Sequence, residues 1–256
     1  MAFFVDFSGE GKLFTLKIVF LTNALPRMNR VYHPIYLLSV LFFLFACQET
    51  ERPKTDFGFE FQPLQVGLFW QYAVEETIVF GENDQESSTY QLRDKIEYTF
   101  RNAEGDEVFV VNRDKSTDGT NWTAVTTYGI QRTNQALLRT FENKKQVPLV
   151  FPPRLEKTWD AEIYNADESD EFEVVFVGNL SLNGRSYQEA VRVLQEEEDD
   201  EITFRDNRYE VFARGVGLVE HYHEVHTYCS RNDCLGKKLL DSGRKTHMKL
   251  SAYGKL

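Results

Sequence analysis

The sequence is short of several things, and each shortage excludes something. Three cysteines among 256 residues rule out a disulfide-dense miniprotein. Basic side chains number 29 against 40 acidic ones, for a net charge of −11. A dedicated nucleic-acid binder needs a positive face for phosphates, so that class is set aside. No segment matches G-x-S-x-G, H-E-x-x-H, a P-loop or a dinucleotide-binding fingerprint. The longest apolar run, Ile35–Ala46, has twelve residues, whereas crossing a hydrocarbon layer as a helix takes about 20. What the chain does have is aromatic rings, 21 Phe and 12 Tyr. With 42% hydrophobic and 27% charged residues, it has the composition of a folded body.

The first 46 residues differ from the rest. Arg30 precedes the run IYLLSVLFFLFA, which ends on a small residue directly before Cys47. A basic segment, a short apolar stretch and a small residue form the anatomy of a secretory signal. Leu44-Phe45-Ala46-Cys47 resembles the lipobox of bacterial lipoproteins, with Phe45 bulkier than the usual middle residue. The resemblance implies cleavage before Cys47 and acylation of both its sulfur and its new amine. The alternative is an uncleaved anchor carrying a free thiol. Met28 opens a more compact signal than Met1, so residues 1–27 read as lying upstream of the true start. Cleavage leaves 210 residues with a charge of −13. Residues 47–56 then form a lipidated tether, polar throughout after the cysteine. The acidic residues behind Cys47 loosely resemble the surface-export signals of Bacteroidota lipoproteins, and a plain linker accounts for them equally well.

From Phe57 to Leu256 the dominant period is two, and we expect one β domain there. Ile96, Tyr98 and Phe100 alternate with charged and polar residues, as do Trp159, Ala161 and Ile163. Tyr72, Val74, Ile78 and Phe80 share one parity, and Phe172, Val174 and Phe176 another. Turn signals separate the runs at Gly81–Asp84, Asn102–Asp106, Asp118-Gly119 and Asn183-Gly184. Tyr187–Glu198 reads as a strand leading into an exposed acidic loop, Glu196–Glu201. Pro148–Pro153 reads as a crossing between strands, because prolines cannot serve a central ladder. Hairpins without intervening helices predict an all-β fold with a single antiparallel, strongly curved sheet, either a partial barrel or a sandwich.

Two motifs carry a family resemblance. Pro63-Leu64-Gln65-Val66-Gly67, followed by Trp70 and Tyr72, resembles the opening of many secreted Bacteroidota lipoproteins. Ala213-Arg214-Gly215-Val216-Gly217-Leu218-Val219 resembles the hairpin near their C-termini. The patterns look like those of TapB-like or DUF3108-like lipoproteins, which implies a curved sheet of the lipoprotein-carrier kind and assigns no catalytic residue. In physical terms, Trp70 and Tyr72 suit a core face. Gly215 and Gly217 suit a bend where the backbone approaches a neighbour.

Candidate sites are few. Cys229 and Cys234 enclose four turn-forming residues and read as a disulfide staple in an oxidising compartment, a metal or redox pair being the alternative. His221 and His223 share a strand face, opposite Glu220 and Glu224. Two imidazoles suit zinc or copper only with further ligands, so a solvated strand face is the plainer account. His226 has the other parity. Asp114–Gly119 superficially matches a calcium loop, but Val125 stands where the bidentate acid belongs. The basic residues of 229–256 are expected beside the acidic segment. We therefore expect a non-enzymatic, lipid-anchored protein of a bacterial envelope, held through Cys47 to the outer membrane. Its partner would be an envelope protein, or alternatively an apolar ligand carried in the sheet, with no cofactor and no nucleic acid.

Overall fold

The computed structural model describes residues 56–166 and 169–256. The signal at 1–46, the Met28 start, Cys47 and all of the tether but Asp56 lie outside them. After a 3₁₀ turn at Phe59–Phe61 the described chain forms twelve strands. They are β1 (Leu68–Gly81), β2 (Asp84–Arg101), β3 (Glu107–Ser116), β4 (Thr123–Arg132), β5 (Ala136–Phe141) and β6 (Lys144–Val150). Then come β7 (Thr158–Asp160), β8 (Glu171–Leu182), β9 (Arg185–Asp199), β10 (Phe204–Ala213), β11 (Gly217–Tyr228) and β12 (Leu240–Lys255). All pairings are antiparallel, in the order β6-β5-β4-β3-β2-β1-β12-β11-β10-β9-β8-β7. The fold is all-β, and of the two architectures expected it is the barrel-like one: a single strongly curved, nearly closed sheet.

The sheet's two edges meet. Val147 of β6 donates its N–H to the Ala161 carbonyl at 2.9 Å, and the Trp159 indole donates to the Val147 carbonyl at 2.7 Å. Gln146 reaches Glu162 at 3.1 Å. Pro148 lies within β6, where an edge strand tolerates its missing donor. The crossing to β7 therefore occupies only residues 151–157.

The inner face holds the core. Phe61, Trp70, Ile96, Phe172, Phe212 and Leu250 are buried there, in contact with one another and with aliphatic neighbours. The turns fall where the sequence places them, Asn83 and Asn183 both adopting positive φ between paired strands.

Several alternations break, for one recurring reason. Ile96 pairs with Val111 but Tyr98 pairs with Val110, so Glu97 is an extra residue. A bulge of this kind reverses the parity. Ile96 is consequently buried while Tyr98 and Phe100 are exposed. A second shift, between Val174 and Phe176, separates Phe176 from Phe172 and Val174. Near the end of β1 Val79 is buried while Phe80 is exposed, a reversal that precedes the register shift between Val79 and Gly81. The strand expected through Ile163 stops at Asp160, leaving Ile163 in a turn. The acids Glu196–Asp199 are not a loop. They continue β9, opposite Arg205 and Arg208 of β10, whose positive charges make an extended acidic run tolerable.

Candidate functional site

Charge sits inside the barrel, which strand chemistry alone does not favour. On β2, Asp94 shares the inward parity of Leu92 and Ile96. Arg113 of β3 is its register partner and donates twice to the carboxylate, from Nε and Nη2, each at 2.6 Å. The Tyr128 hydroxyl of β4 adds a third donation at 2.9 Å. Burial, then the Asp94 charge, pushes the Tyr128 phenol well above its ordinary range.

A second cluster crosses the lumen. Arg139 of β5 donates to both oxygens of Glu210 on β10, at 2.7 and 3.1 Å. Glu210 is 1% exposed, and His221 Nδ1 lies 3.1 Å from its Oε1. Burial alone would raise the Glu210 pKa, but the Arg139 charge and the hydrogen bonds from His221 and Arg139 hold it at about 2. The His223 ring stacks beside His221 with centroids 6.4 Å apart. Burial, then the His221 and Arg208 charges, lowers the His223 pKa to about 4. Arg208 in turn pairs with Asp206 at 2.6 Å and Asp170 at 3.0 Å.

His221 and His223 do share a face, as their spacing predicts, but it is the inner one, half-buried, and not a solvated surface. Among the described residues no group of three or more His, Cys, Asp or Glu side chains is placed to hold a metal ion. The arrangement instead resembles a fixed ladder of ion pairs, in which Asp94, Glu210, Asp206 and Asp170 each face a basic side chain.

The opposite face of the same strands carries Glu220, Tyr222, Glu224 and His226. Tyr209 stacks on Tyr222 with centroids 5.2 Å apart, Arg192 lies over Tyr209 at 4.6 Å, and His247 contacts Glu220 at 2.8 Å. His226, of the other parity to the pair, is buried against Glu224 at 3.7 Å. These contacts knit β9 to β12 across the outside of the sheet.

The remaining candidates have structural roles. Cys229 and Cys234 form a disulfide that closes the connection between β11 and β12, where Cys229 N–H donates to the Leu239 carbonyl at 2.7 Å. The Asp114–Gly119 segment ends β3 in a turn, with Asp118 Oδ1 accepting from the N–H groups of Thr120 and Asn121, both at 2.8 Å. Lys238 meets Glu201 at 2.8 Å, so part of the basic C-terminal region does lie beside the acidic segment. The two quoted motifs touch. Trp70 Nε1 donates to the Val216 carbonyl at 2.6 Å, and the Tyr72 hydroxyl to the Leu218 carbonyl at 3.3 Å.

The interior charges Asp94, Arg113, Arg139 and Glu210 were missed at the level of sequence. For Asp94 a signal existed, a carboxylate at the inward parity between Leu92 and Ile96. For Arg139 and Glu210 none did, because their meeting depends on how far the sheet curls.

No protein-family model matches the chain, and no curated protein matches it. The TapB-like or DUF3108-like resemblance therefore rests on its two motifs. Two solved structures show a distant similarity. One, assigned as an exported protein with a YmcC-like fold from Bacteroides fragilis, is 11% identical with a TM-score of 0.40, and the match covers 76% of this chain and 98% of that one. The other, assigned as a lipoprotein from Parabacteroides distasonis, is 9% identical with a TM-score of 0.37, and the match covers 78% and 100% of the two chains.

Proposed function

We propose that this chain is a non-catalytic envelope lipoprotein, held to the outer membrane through acylated Cys47, whose β body binds another envelope component. The observation that carries the binding role, as against the carrier role, is the occupied interior. Phe61, Phe172 and Phe212 are at most 1% exposed, and Arg139 spans the lumen to Glu210. An apolar ligand carried inside would lie against these charges or force the pairs apart, and stranding a buried charge is costly. The filled interior leaves recognition to the outer surface.

Metabolic palmitate labelling tests the anchor. Wild type is expected to take up label and fractionate with membranes, and Cys47→Ala to do neither. Label on both proteins refutes acylation at Cys47. Lipid extraction followed by mass spectrometry tests the alternative, a carrier of lipid or another apolar ligand. A stoichiometric lipid in the purified body would favour the carrier.

A further inference from the structure

Strand polarity gives the barrel two distinct rims. One carries the 3₁₀ turn, the connections at 102–106, 133–135, 151–157, 183–184 and 214–216, and Leu256. The other carries the connections at 82–83, 117–122, 142–143, 200–203 and 229–239 and the one from β7 to β8, where Ile163 and Tyr164 are exposed. The chain enters at the first rim, and its entry point is fixed there. Asp56 accepts from the Gly58 N–H at 2.8 Å and pairs with Arg214, in the 214–216 connection, at 2.9 Å.

Below the polar 102–106 turn, that entry rim exposes a group of apolar side chains. Because Phe69 pairs with Lys95, β2 runs on past the start of β1, and Tyr98 and Phe100 project from the overhang at 57% and 48% exposure. Gly67 donates to the Ile96 carbonyl and accepts from Leu256 N–H, both at 2.9 Å. Val66 and Leu256, 44% and 72% exposed, therefore stand beside the same overhang.

Apolarity alone does not choose between the rims, since Phe80, Ile202 and Leu235 are exposed at the far one. Charge and reach do. At the far rim Glu82, Asp84, Glu86 and the six consecutive acids Glu196–Glu201 outnumber the cations Lys144, Lys145, Arg231, Lys237 and Lys238, and an anionic bilayer repels the excess. At the entry rim the acids Asp56, Glu60, Glu97, Glu104, Asp106, Glu107 and Glu156 are balanced by Lys95, Arg101, Arg132, Arg154, Lys157, Arg185, Arg214 and Lys255. Ten residue steps separate Cys47 from Phe57, about 35 Å at full extension. The 14 residues of β1 measure about 45 Å along the strand, and about 35 Å in height once tilted. Laying the far rim on the membrane would demand a tether drawn straight, at the cost of its conformational entropy.

Resting on the Cys47 anchor, we propose that the entry rim is a membrane-docking surface: Val66, Tyr98, Phe100 and Leu256 sit at headgroup level and the acidic rim points away from the bilayer. A tether that merely limits distance then becomes part of an oriented attachment, with the lipid and the rim engaging the same surface.

The test uses the full-length, processed protein in vesicles of three parts phosphatidylethanolamine to one part phosphatidylglycerol. Phe100→Cys and Leu256→Cys place a fluorophore on the entry rim, and Phe80→Cys and Ile202→Cys place one on the far rim. All four positions are exposed, and the disulfide leaves the introduced thiol as the one to label. Spin-labelled lipid is expected to quench both entry-rim probes several-fold more than both far-rim probes. Equal quenching at the two rims, or stronger quenching at the far rim, overturns the docking proposal. The anchor is scored separately, by flotation and palmitate content of wild type against Cys47→Ala. Protein that floats and is acylated but shows no quenching at the entry rim overturns the docking alone, whereas unacylated wild type removes both.

Discussion

The indole N–H of Trp70, at the start of the first strand, donates to the main-chain carbonyl of Val216, 146 positions later, at 2.6 Å. This bond joins the wall that opens the barrel to the connection between β10 and β11 and lies within the core. Trp70→Phe retains a ring but leaves the Val216 carbonyl unpaired. A loss of about 1–3 kcal/mol is expected, read as a lower urea midpoint with unchanged slope.

Gly217 completes the same contact and offers a paired comparison. Its φ is +106°, and a Cβ there would meet Trp70 Nε1 and Gln62 Nε2 at 3.1 Å. Gly215 also has positive φ, +74°, but a Cβ would find open space. Gly215→Ala should cost about 1–2 kcal/mol from backbone strain alone. Gly217→Ala should cost more, because the added carbon also crowds the indole. Equal costs by thermal unfolding would show that crowding at Trp70 contributes nothing.

Arg139 and Glu210 form a buried pair in which the cost of separation exceeds the value of the union. Arg139→Met strands a carboxylate that is 1% exposed and should destabilise by about 3–5 kcal/mol. Adding Glu210→Leu should restore most of that loss, since hydrophobic replacement of a whole buried pair is often neutral. A double-mutant cycle that turns out additive would show the two side chains acting independently.

Acid should weaken the fold in two separable windows. His223 has an ordinary pKa of 6.5, and burial lowers it to about 4 in the folded state. The unfolded chain therefore binds its proton first, and stability falls as pH drops from 6.5 towards 4. Glu210 has an ordinary value of 4.5 and is held at about 2, the Arg139 charge overcoming burial. Its contribution is complete above 4.5 and is lost as pH falls towards 2. Burial lowers the His226 pKa as well. His223→Gln should therefore reduce the slope of the stability profile in the upper window, and the double variant with His226→Gln should flatten it. Both should leave the lower window unchanged. Urea midpoints measured across pH distinguish the two; a change confined to the lower window would reassign the titrating group.

The Cys229–Cys234 bridge closes a loop with a sequence separation of 5. By chain entropy a ring of this size contributes about 2 kcal/mol. Cys229→Ser with Cys234→Ser should lower the urea midpoint correspondingly while keeping the circular dichroism of a β protein. Loss of the β signal would mean that the bridge is needed to form the sheet at all.

Local chemistry was legible in the sequence; consequences of register were not. Asn83 and Asn183 mark turns because an asparagine tolerates positive φ, and nothing distant affects that. Trp70 and Tyr72 read as core residues because they share a parity, and the register shift between Gln71 and Tyr72 leaves it intact since its extra residue, Ser251, belongs to β12. Tyr98 was misplaced because a single extra residue at Glu97 reverses everything beyond it, and an inserted glutamate looks like any other polar position in an alternating run. Glu196–Asp199 suggest a loop because like charges repel; the cations opposite them, Arg205 and Arg208, come from the next strand and act only once the two are paired. The shared face of His221 and His223 was correct, but whether that face looked inward depended on how the whole sheet curls.

The strand order has a consequence for how the polypeptide may be rearranged. β1–β6 form one uninterrupted meander and β7–β12 another, and the only strand pairing between the two is that of β1 with β12, β6 and the β7 region closing the barrel through a few hydrogen bonds. A gene that opened the chain within residues 151–157 and linked Leu256 to Asp56 would visit the strands from β7 through β12 and then β1 through β6. Each strand would then lie beside its predecessor, and the most sequence-distant pairing of the sheet would become a local hairpin. Such a circular permutant should reach the same barrel along a path of lower contact order and fold faster.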